Sequence, residues 1–293
     1  MHIIMGGTGH IGSATADALL AQGQAVTIVS RSAAKAGPWQ QKGAQVARVD
    51  VHDPAALHEV FRRGRRLFLL NPPAAPSTDT DAEERKSVAS ILRALAGSGL
   101  EKIVALSTYG AWPGRRIGDL GVLYEMEQGL AGQPIPATVI RAAYLMSNWE
   151  MSLPTVGGEG KLYTFFPPDF ALPMVSPGDV GRIAAQLLLE PAATTGLYHV
   201  EGPARYSPSD VAAAFSSALR KLVAALQIPR EQWIPTLKDA GFSAAGAESM
   251  AAMTDITLGH SFELPGSAIR GTTTLQAYVD ALVRDSRPPR AQA

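Results

Sequence analysis

The stretch HIIMGGTGHIGSATADALL, residues 2–20, governs how the rest of the chain is read. Ile3 to Met5 make a short apolar strand. From Ile11 to Gln22 the apolar residues return at helical spacing, with Ala14, Ala18 and Leu19 on one face and Gly23 near the C-cap position. Between strand and helix runs GGTGHIG, Gly6 to Gly12, which contains Gly7-x-Gly9-x-x-Gly12. Each glycine has a physical task. The bend from strand into helix needs positive φ and no Cβ. A side chain at Gly9 would block a diphosphate lying on the turn, and one at Gly12 would hold the helix off the strand. The N–H groups at the helix start then face an anion, aided by the helix dipole. A glycine-rich turn alone is a weak signal, but a strand before it and a helix after it supply the context that gives it meaning. Gly6, Gly7, Thr8, Gly9, His10, Ile11 and Gly12 are therefore the candidate dinucleotide-binding turn, with a plain tight turn as the alternative.

Outward from this unit, strands and helices alternate. Strands are expected at Ala25–Val29, Gln45–Val49, Leu67–Leu70, Lys102–Leu106 and Ala137–Arg141, and helices from Pro54, over Asp79–Ala96 and over Gly118–Ala131. Asn71-Pro72-Pro73 stops the fourth strand. Apolar strands separated by helices imply a parallel sheet covered on both faces, so the fold class is α/β, a Rossmann-type doubly wound sheet. The second half is less regular. Residues 157–173 are rich in Gly, Pro and aromatics and read as loops with short strands. Helices are expected at Pro177–Leu189, Ser207–Leu219, Arg230–Ala240, Ala244–Met253 and Thr273–Val283, with a strand at Gly196–Val200. This divides the chain into a dinucleotide-binding domain at 1–150, a smaller α/β substrate lobe at 151–285 that returns some segments to the sheet, and a flexible tail at 286–293.

The end of the second strand bears on which dinucleotide binds. A carboxylate there would hold a ribose 2′-hydroxyl and repel a 2′-phosphate, whereas a guanidinium binds the phosphate. This chain has Ser30-Arg31, with Lys35 four residues on, which favours NADP(H) over NAD. The alternative is that Arg31 stacks on adenine or points to solvent. Asp50 and Val51 end the third strand, where the adenine edge lies in such folds; Asp50 could equally cap the helix behind Pro54.

Composition narrows the function further. The 293 residues carry 26 basic and 26 acidic side chains, so nothing concentrates a nucleic-acid backbone. The one basic run, Arg62, Arg63, Arg65 and Arg66, reads as a solvated helix end. There are no cysteines, which excludes thiolate chemistry and disulfides, and the six histidines show no metal-ligand spacing. No signal segment and no apolar run of membrane-spanning length are read, so the expected location is cytoplasmic.

Several further motifs belong together: VDVHDP at 49–54, LLNPP at 69–73, KIVALSTYGA at 102–111, TVIRAAYLMSN at 138–148, VSPGDVGRIAA at 175–185 and LYHVEGPARYSPSDVAAA at 197–214. With GGTGHIG and Ser30-Arg31, they make nearly the whole chain resemble the NmrA-like branch of the atypical short-chain dehydrogenase/reductases. That resemblance implies NAD(P) bound between two lobes. It places Asn71 and Pro72 beside the cofactor, Ser107, Thr108 and Tyr109 at the catalytic edge, and Ala142, Ala143 and Tyr144 near the nicotinamide. Simple packing between lobes is the other reading of Tyr109 and Tyr144. The wider superfamily carries Tyr-x-x-x-Lys after the fifth strand. Here Tyr124 is present but Gln128 stands at the lysine position, and a neutral amide cannot supply the missing charge. Catalytic candidates are thus Tyr109, Tyr144 and Tyr124. Quinone reduction needs less acid assistance than ordinary carbonyl reduction, because the aromatised product stabilises the developing anion. Trp112, Tyr144, Asn148, Trp149, Phe165 and Phe166 are candidate walls for a flat substrate, with ordinary core packing as their alternative. The resemblance implies either an NADPH-dependent quinone or carbonyl reductase, or an NADP(H)-sensing regulator without turnover; a homodimer is compatible with either.

Overall fold

The computed structural model describes residues 1–32, 37–259 and 266–286. The chain order is β1 (His2–Ile4), α1 (His10–Leu20), β2 (Val26–Ser30), α2 (Gly37–Gln41), β3 (Gln45–Arg48), α3 (Pro54–Phe61), β4 (Arg66–Leu69), α4 (Thr80–Leu95), β5 (Lys102–Thr108), α5 (Asp119–Ala131) and β6 (Ala137–Ala142). There follow β7 (Tyr144–Leu145), a 3₁₀ helix (Met146–Ser152), α6 (Leu153–Gly158), β8 (Lys161–Thr164), β9 (Leu172–Val175), α7 (Pro177–Leu189), β10 (Gly196–Glu201), β11 (Arg205–Tyr206) and α8 (Pro208–Leu219). The described chain closes with β12 (Ala224–Gln227), a short 3₁₀ turn (Arg230–Gln232), α9 (Trp233–Asp239), α10 (Ala244–Gly259), β13 (Ile269–Arg270) and α11 (Leu275–Asp285).

Eight strands form one sheet in the order β3-β2-β1-β4-β5-β6-β10-β13, with every pairing parallel. This is the doubly wound arrangement, and strand order reverses between β1 and β4. Side chains alternate across it. Ile4, Ile28, Phe68, Val104 and Ile140 pack under α1 and α7, while Ile3, Leu67, Ile103 and Val29 pack under α3, α4 and α5. Both faces are therefore covered, which is why the strands read as continuous apolar runs. The chain re-enters the sheet after residue 150 at β10 and β13. A three-stranded sheet, β11-β9-β7, and a parallel pair, β12-β8, lie outside it; Met146, Trp149, Leu162, Leu172, Phe215 and Val279 form a separate apolar centre there.

Local chemistry accounts for the helix starts. Asp53, Asp79, Ser176, Ser207 and Thr274 each accept a first-turn N–H, and Ser207 forms a reciprocal capping box with Asp210. Asp50 is not the cap behind Pro54: Asp53 is, and Asp50 instead accepts the His52 N–H at 3.0 Å. The basic run also departs from expectation. Arg66 lies on β4, part-buried, and its guanidinium donates to the Glu190 carbonyl at 2.9 Å and to that of Leu188. Lys102, fully buried, donates to the Pro191 carbonyl at 3.2 Å. Two cations thus meet the carbonyl-rich end of α7, where the helix dipole favours them.

Helix α7 crosses α1 at very short range. A Cβ on Gly181 would lie 2.5 Å from the Ala14 Cβ and 2.8 Å from both the Ile11 carbonyl oxygen and the Thr15 nitrogen. Only glycine permits this approach, which gives the VSPGDVGRIAA motif a packing reason. Two residues earlier, buried Asp179 accepts the Thr273 N–H at 2.9 Å and pairs with Arg182, tying α7 to the segment after β13.

Candidate functional site

The carboxyl ends of β1 and β4 lie side by side at the edge of the sheet where strand order reverses. In the turn after β1 the positive φ belongs to Gly6, at +63°. The Gly9 N–H bonds to the Gly6 carbonyl at 2.9 Å. A Cβ on Gly12 would fall 2.2 Å from the Gly6 oxygen, so this glycine protects the turn's own backbone as well as the helix approach. A Cβ on Gly7 would strike the Ile28 side chain at 2.8 Å. Gly9 differs: the nearest atom to its Cβ position is the Gly6 oxygen at 3.5 Å, leaving the outer surface of the turn open. Gly9 is also the N-cap of α1, which has no side-chain cap and no acidic residue in its first turn. The first-turn N–H groups are thus available to an external anion.

Ser30 ends β2 buried, and its hydroxyl accepts the Ser32 N–H at 3.2 Å. Arg31 follows, exposed; Lys35 lies outside the described residues. At the end of β4 the Asn71 amide donates to the Glu84 carbonyl at 3.3 Å, and its buried Oδ1 has no protein partner. Glu84 also receives the Ala74 N–H at 3.0 Å, so it holds both ends of the Asn71-Pro72-Pro73 turn. Burial, followed by the neighbouring Asp119 carboxyl, pushes the Glu84 acid up to about 7.

The ends of β5 and β6 continue the same edge of the sheet. Ser107 donates its hydroxyl to buried Glu127, which Arg141 grips with two bonds of 3.0 and 2.7 Å. Glu127 is the residue immediately before Gln128, which is exposed; Tyr124 is part-exposed one turn earlier. The Tyr109 N–H bonds to the Ala142 carbonyl at 3.0 Å and the Ala143 N–H to Val200 at 2.9 Å, so Thr108, Tyr109, Ala142 and Ala143 are locked side by side. Tyr109 is buried, sits edge-on to His199 at 5.0 Å and donates its hydroxyl to Glu201 at 2.7 Å. Glu201 in turn pairs with Arg270 at 2.6 Å. Burial and then the Glu201 bond raise the Tyr109 hydroxyl well above the ordinary phenol range. Its proton is committed to that carboxylate.

Beyond β6 an aromatic group gathers. Tyr144 lies 5.7 Å from Trp149 and 5.8 Å, edge-on, from Phe166, and Phe166 stacks on Phe170 at 5.6 Å and 9°. Burial pushes the Tyr144 hydroxyl up to about 12, while the Asn148 side chain pulls the other way. The buried Trp149 indole N–H meets no acceptor. Of the expected wall residues, Phe165 departs. It packs on Trp233 at 5.5 Å in a different cluster, with Leu237, Ala247 and Ala251, because consecutive residues leave the end of a strand in opposite directions. Trp112 is 56% exposed on the loop before α5. Among the described residues no three His, Asp or Glu side chains gather to hold a metal ion, and no helix is long and apolar enough to cross a membrane.

Residues 2–278 match the model of the NmrA-like family. The chain belongs to that family. This NmrA-like chain is 24% identical over 250 residues to an NAD(P)H azoreductase of Xenophilus azovorans, covering 85% of each. Its fold matches that of a Citrobacter sp. triphenylmethane reductase complexed with NADP(H), with a TM-score of 0.76, 20% identity and coverage of 96% and 99% of the two chains. It also matches an NADPH-dependent quinone oxidoreductase of Escherichia coli complexed with NADPH, with a TM-score of 0.70, 20% identity and the same coverage. These likenesses establish the Rossmann-type fold of the NmrA-like chain. The residues that the sequence pattern did not single out are the buried acids Glu84, Glu127 and Glu201 and the half-buried Glu150. A carboxylate inside an otherwise apolar strand or helix face was their available signal.

Proposed function

We propose that this chain is an NADP(H)-dependent reductase that delivers hydride to a quinone or a similarly flat electrophile. The observation that carries the reading is the reversal of strand order between β1 and β4, where the open Gly9 surface and the Asn71 turn meet. The residues present suit a dinucleotide. An uncapped helix start offers N–H donors without a competing carboxylate, and Asn71 keeps a buried acceptor without a protein donor. The names of the azoreductase, triphenylmethane reductase and quinone oxidoreductase relatives support the same activity class.

In this reading the nicotinamide, when bound, supplies the hydride. The chain's own residues do the rest. Gly6 to Gly12 bind the diphosphate through backbone N–H groups, and Arg31 meets the 2′-phosphate with Ser30 fixing the strand end. Asn71 and Pro72 border the ribose, and Ser107, Thr108, Ala142 and Ala143 form a rigid floor. Tyr144, Asn148, Trp149 and Phe166 wall the acceptor and exclude water. Tyr144, among the aromatic walls, keeps its proton at neutral pH and is not committed to a carboxylate, as Tyr109 is to Glu201. It is the proposed donor to the acceptor oxygen. The division of labour follows: the cofactor is held within residues 1–143, and the acceptor pocket is shaped by residues 144–149 together with Phe166 from the 151–285 lobe.

The test is NADPH oxidation, followed by absorbance, against a panel of quinones and azo dyes. Turnover with at least one flat acceptor, faster with NADPH than with NADH, is expected. Saturable NADPH binding with no turnover on any acceptor refutes the enzyme and leaves a cofactor-sensing regulator.

A further inference from the structure

Glu150 stands on the 3₁₀ helix Met146–Ser152, directly after Trp149, and its carboxylate is divided between two parts of the fold. Oε2 lies 3.4 Å from Nε2 of His10, the first residue of α1 in the glycine turn. Oε1 accepts the hydroxyl of Tyr278 on α11. Burial and the Glu150 bond raise that hydroxyl above the usual phenol range, so Tyr278 is the donor in this pair. An acidic side chain therefore sits beside the turn that the preceding reading assigns to a diphosphate. By itself it opposes that anion. The imidazole between them is the group that can compensate. His10 is 63% exposed, which leaves it accessible to solvent protons and to a ligand.

We propose that the His10 side chain is a further ligand of the diphosphate, that it binds in its protonated form, and that Glu150, held by Tyr278, is the positioning residue that aims it. The inference rests on the dinucleotide reading of the turn. Its balance is simple: His10 takes one proton from solvent as the dinucleotide binds, and releases it when the dinucleotide leaves. The charged groups around His10 are accounted for. From the 3₁₀ helix there is Glu150, and from α11, behind it, Tyr278. On α7, packed along α1, Asp179 and Arg182 pair with each other. On α1 itself Asp17 is bound to Lys42 at 2.7 Å. The glycine turn contributes no ionisable side chain.

Calorimetric titration of the full-length protein with NADP⁺, in two buffers of different ionisation enthalpy, measures the protons taken up on binding. The native protein, His10→Gln and Glu150→Gln are compared from about pH 6 to pH 8, the range in which imidazole titrates. The 2′-phosphate of NADP⁺ titrates in all three alike, so the difference between proteins isolates His10. The native protein is expected to take up more protons than H10Q, and to bind roughly threefold to tenfold tighter at the acid end of the range relative to H10Q. In E150Q, where the glutamine still accepts from Tyr278, the pH dependence is expected to move to lower pH. Equal proton uptake and parallel pH profiles in native and H10Q proteins overturn this inference alone. No binding to the native protein at any pH overturns the dinucleotide reading itself.

Discussion

Gly181→Ala is the most informative single change, because it inserts one methyl group between α7 and α1, the helix that follows the glycine turn. The new Cβ would stand 2.5 Å from the Ala14 Cβ and 2.8 Å from two backbone atoms of α1, against ordinary contacts of 3.4 Å or more. Neither backbone atom can swing away, so α1 and α7 must part by about 1 Å along their closest approach. Overpacking of this kind costs about 2–4 kcal/mol, offset by up to about 1 kcal/mol from the better helix propensity of alanine. A net loss of about 2 kcal/mol lowers Tm by about 4 °C in a chain of this size. Gly178→Ala is the control: it lies on the same helix, and its Cβ would meet only side-chain atoms at 3.4 and 3.5 Å, an ordinary contact. It should be neutral or slightly stabilising. Thermal and urea denaturation of both variants checks the ranking, and NADPH titration should show weaker binding for G181A only. If G181A is as stable as G178A, the close-packing argument for this motif is wrong.

Arg31→Glu should invert cofactor preference, weakening NADPH by roughly tenfold or more while sparing NADH, as read from kcat/KM for each. Tyr144→Phe should depress kcat with little change in the KM for NADPH. Tyr109→Phe, in contrast, should cost about 1–3 kcal/mol of stability by leaving buried Glu201 short of a donor, while its turnover per folded molecule is retained. The raised acid of Glu84 makes a pH prediction. Its folded value lies above its unfolded one, so the stability linked to it is complete below the ordinary carboxyl value of 4.5 and is lost as pH rises through about 7. Glu84→Gln should flatten that decline, seen as native and variant melting temperatures that diverge between about pH 4.5 and 7 and stay apart above it.

The fold was legible because its signals are periodic and local. Apolar strands of a doubly covered parallel sheet, proline at helix starts and a glycine turn in context all act within a few residues. Ser207, where the sequence pattern starts a helix, caps α8 with the reciprocal bond to Asp210. What stayed hidden depends on distant partners. β13 has two residues and is a strand only because β10 pairs with it. Arg66 reads as surface charge until the end of α7, more than a hundred residues away, is brought to it. Phe165 and Phe166 are indistinguishable in sequence, yet they enter different clusters. The buried Ser107–Glu127–Arg141 group occupies the neighbourhood where a lysine is missing, and only the tertiary fold brings its three members together.

The outer strands have a consequence for biosynthesis. β6 pairs with β5 on one side but keeps its other edge bare until β10 has been made, and β10 is itself covered by Ile269–Arg270. Helix α7, which shields the α1 side of the sheet, also comes from the later half of the chain. A nascent chain released as far as β6 thus presents both a raw sheet margin and an oily face. The sheet is completed only when the later half of the chain is present, so a chain truncated after β6 is expected to expose both features.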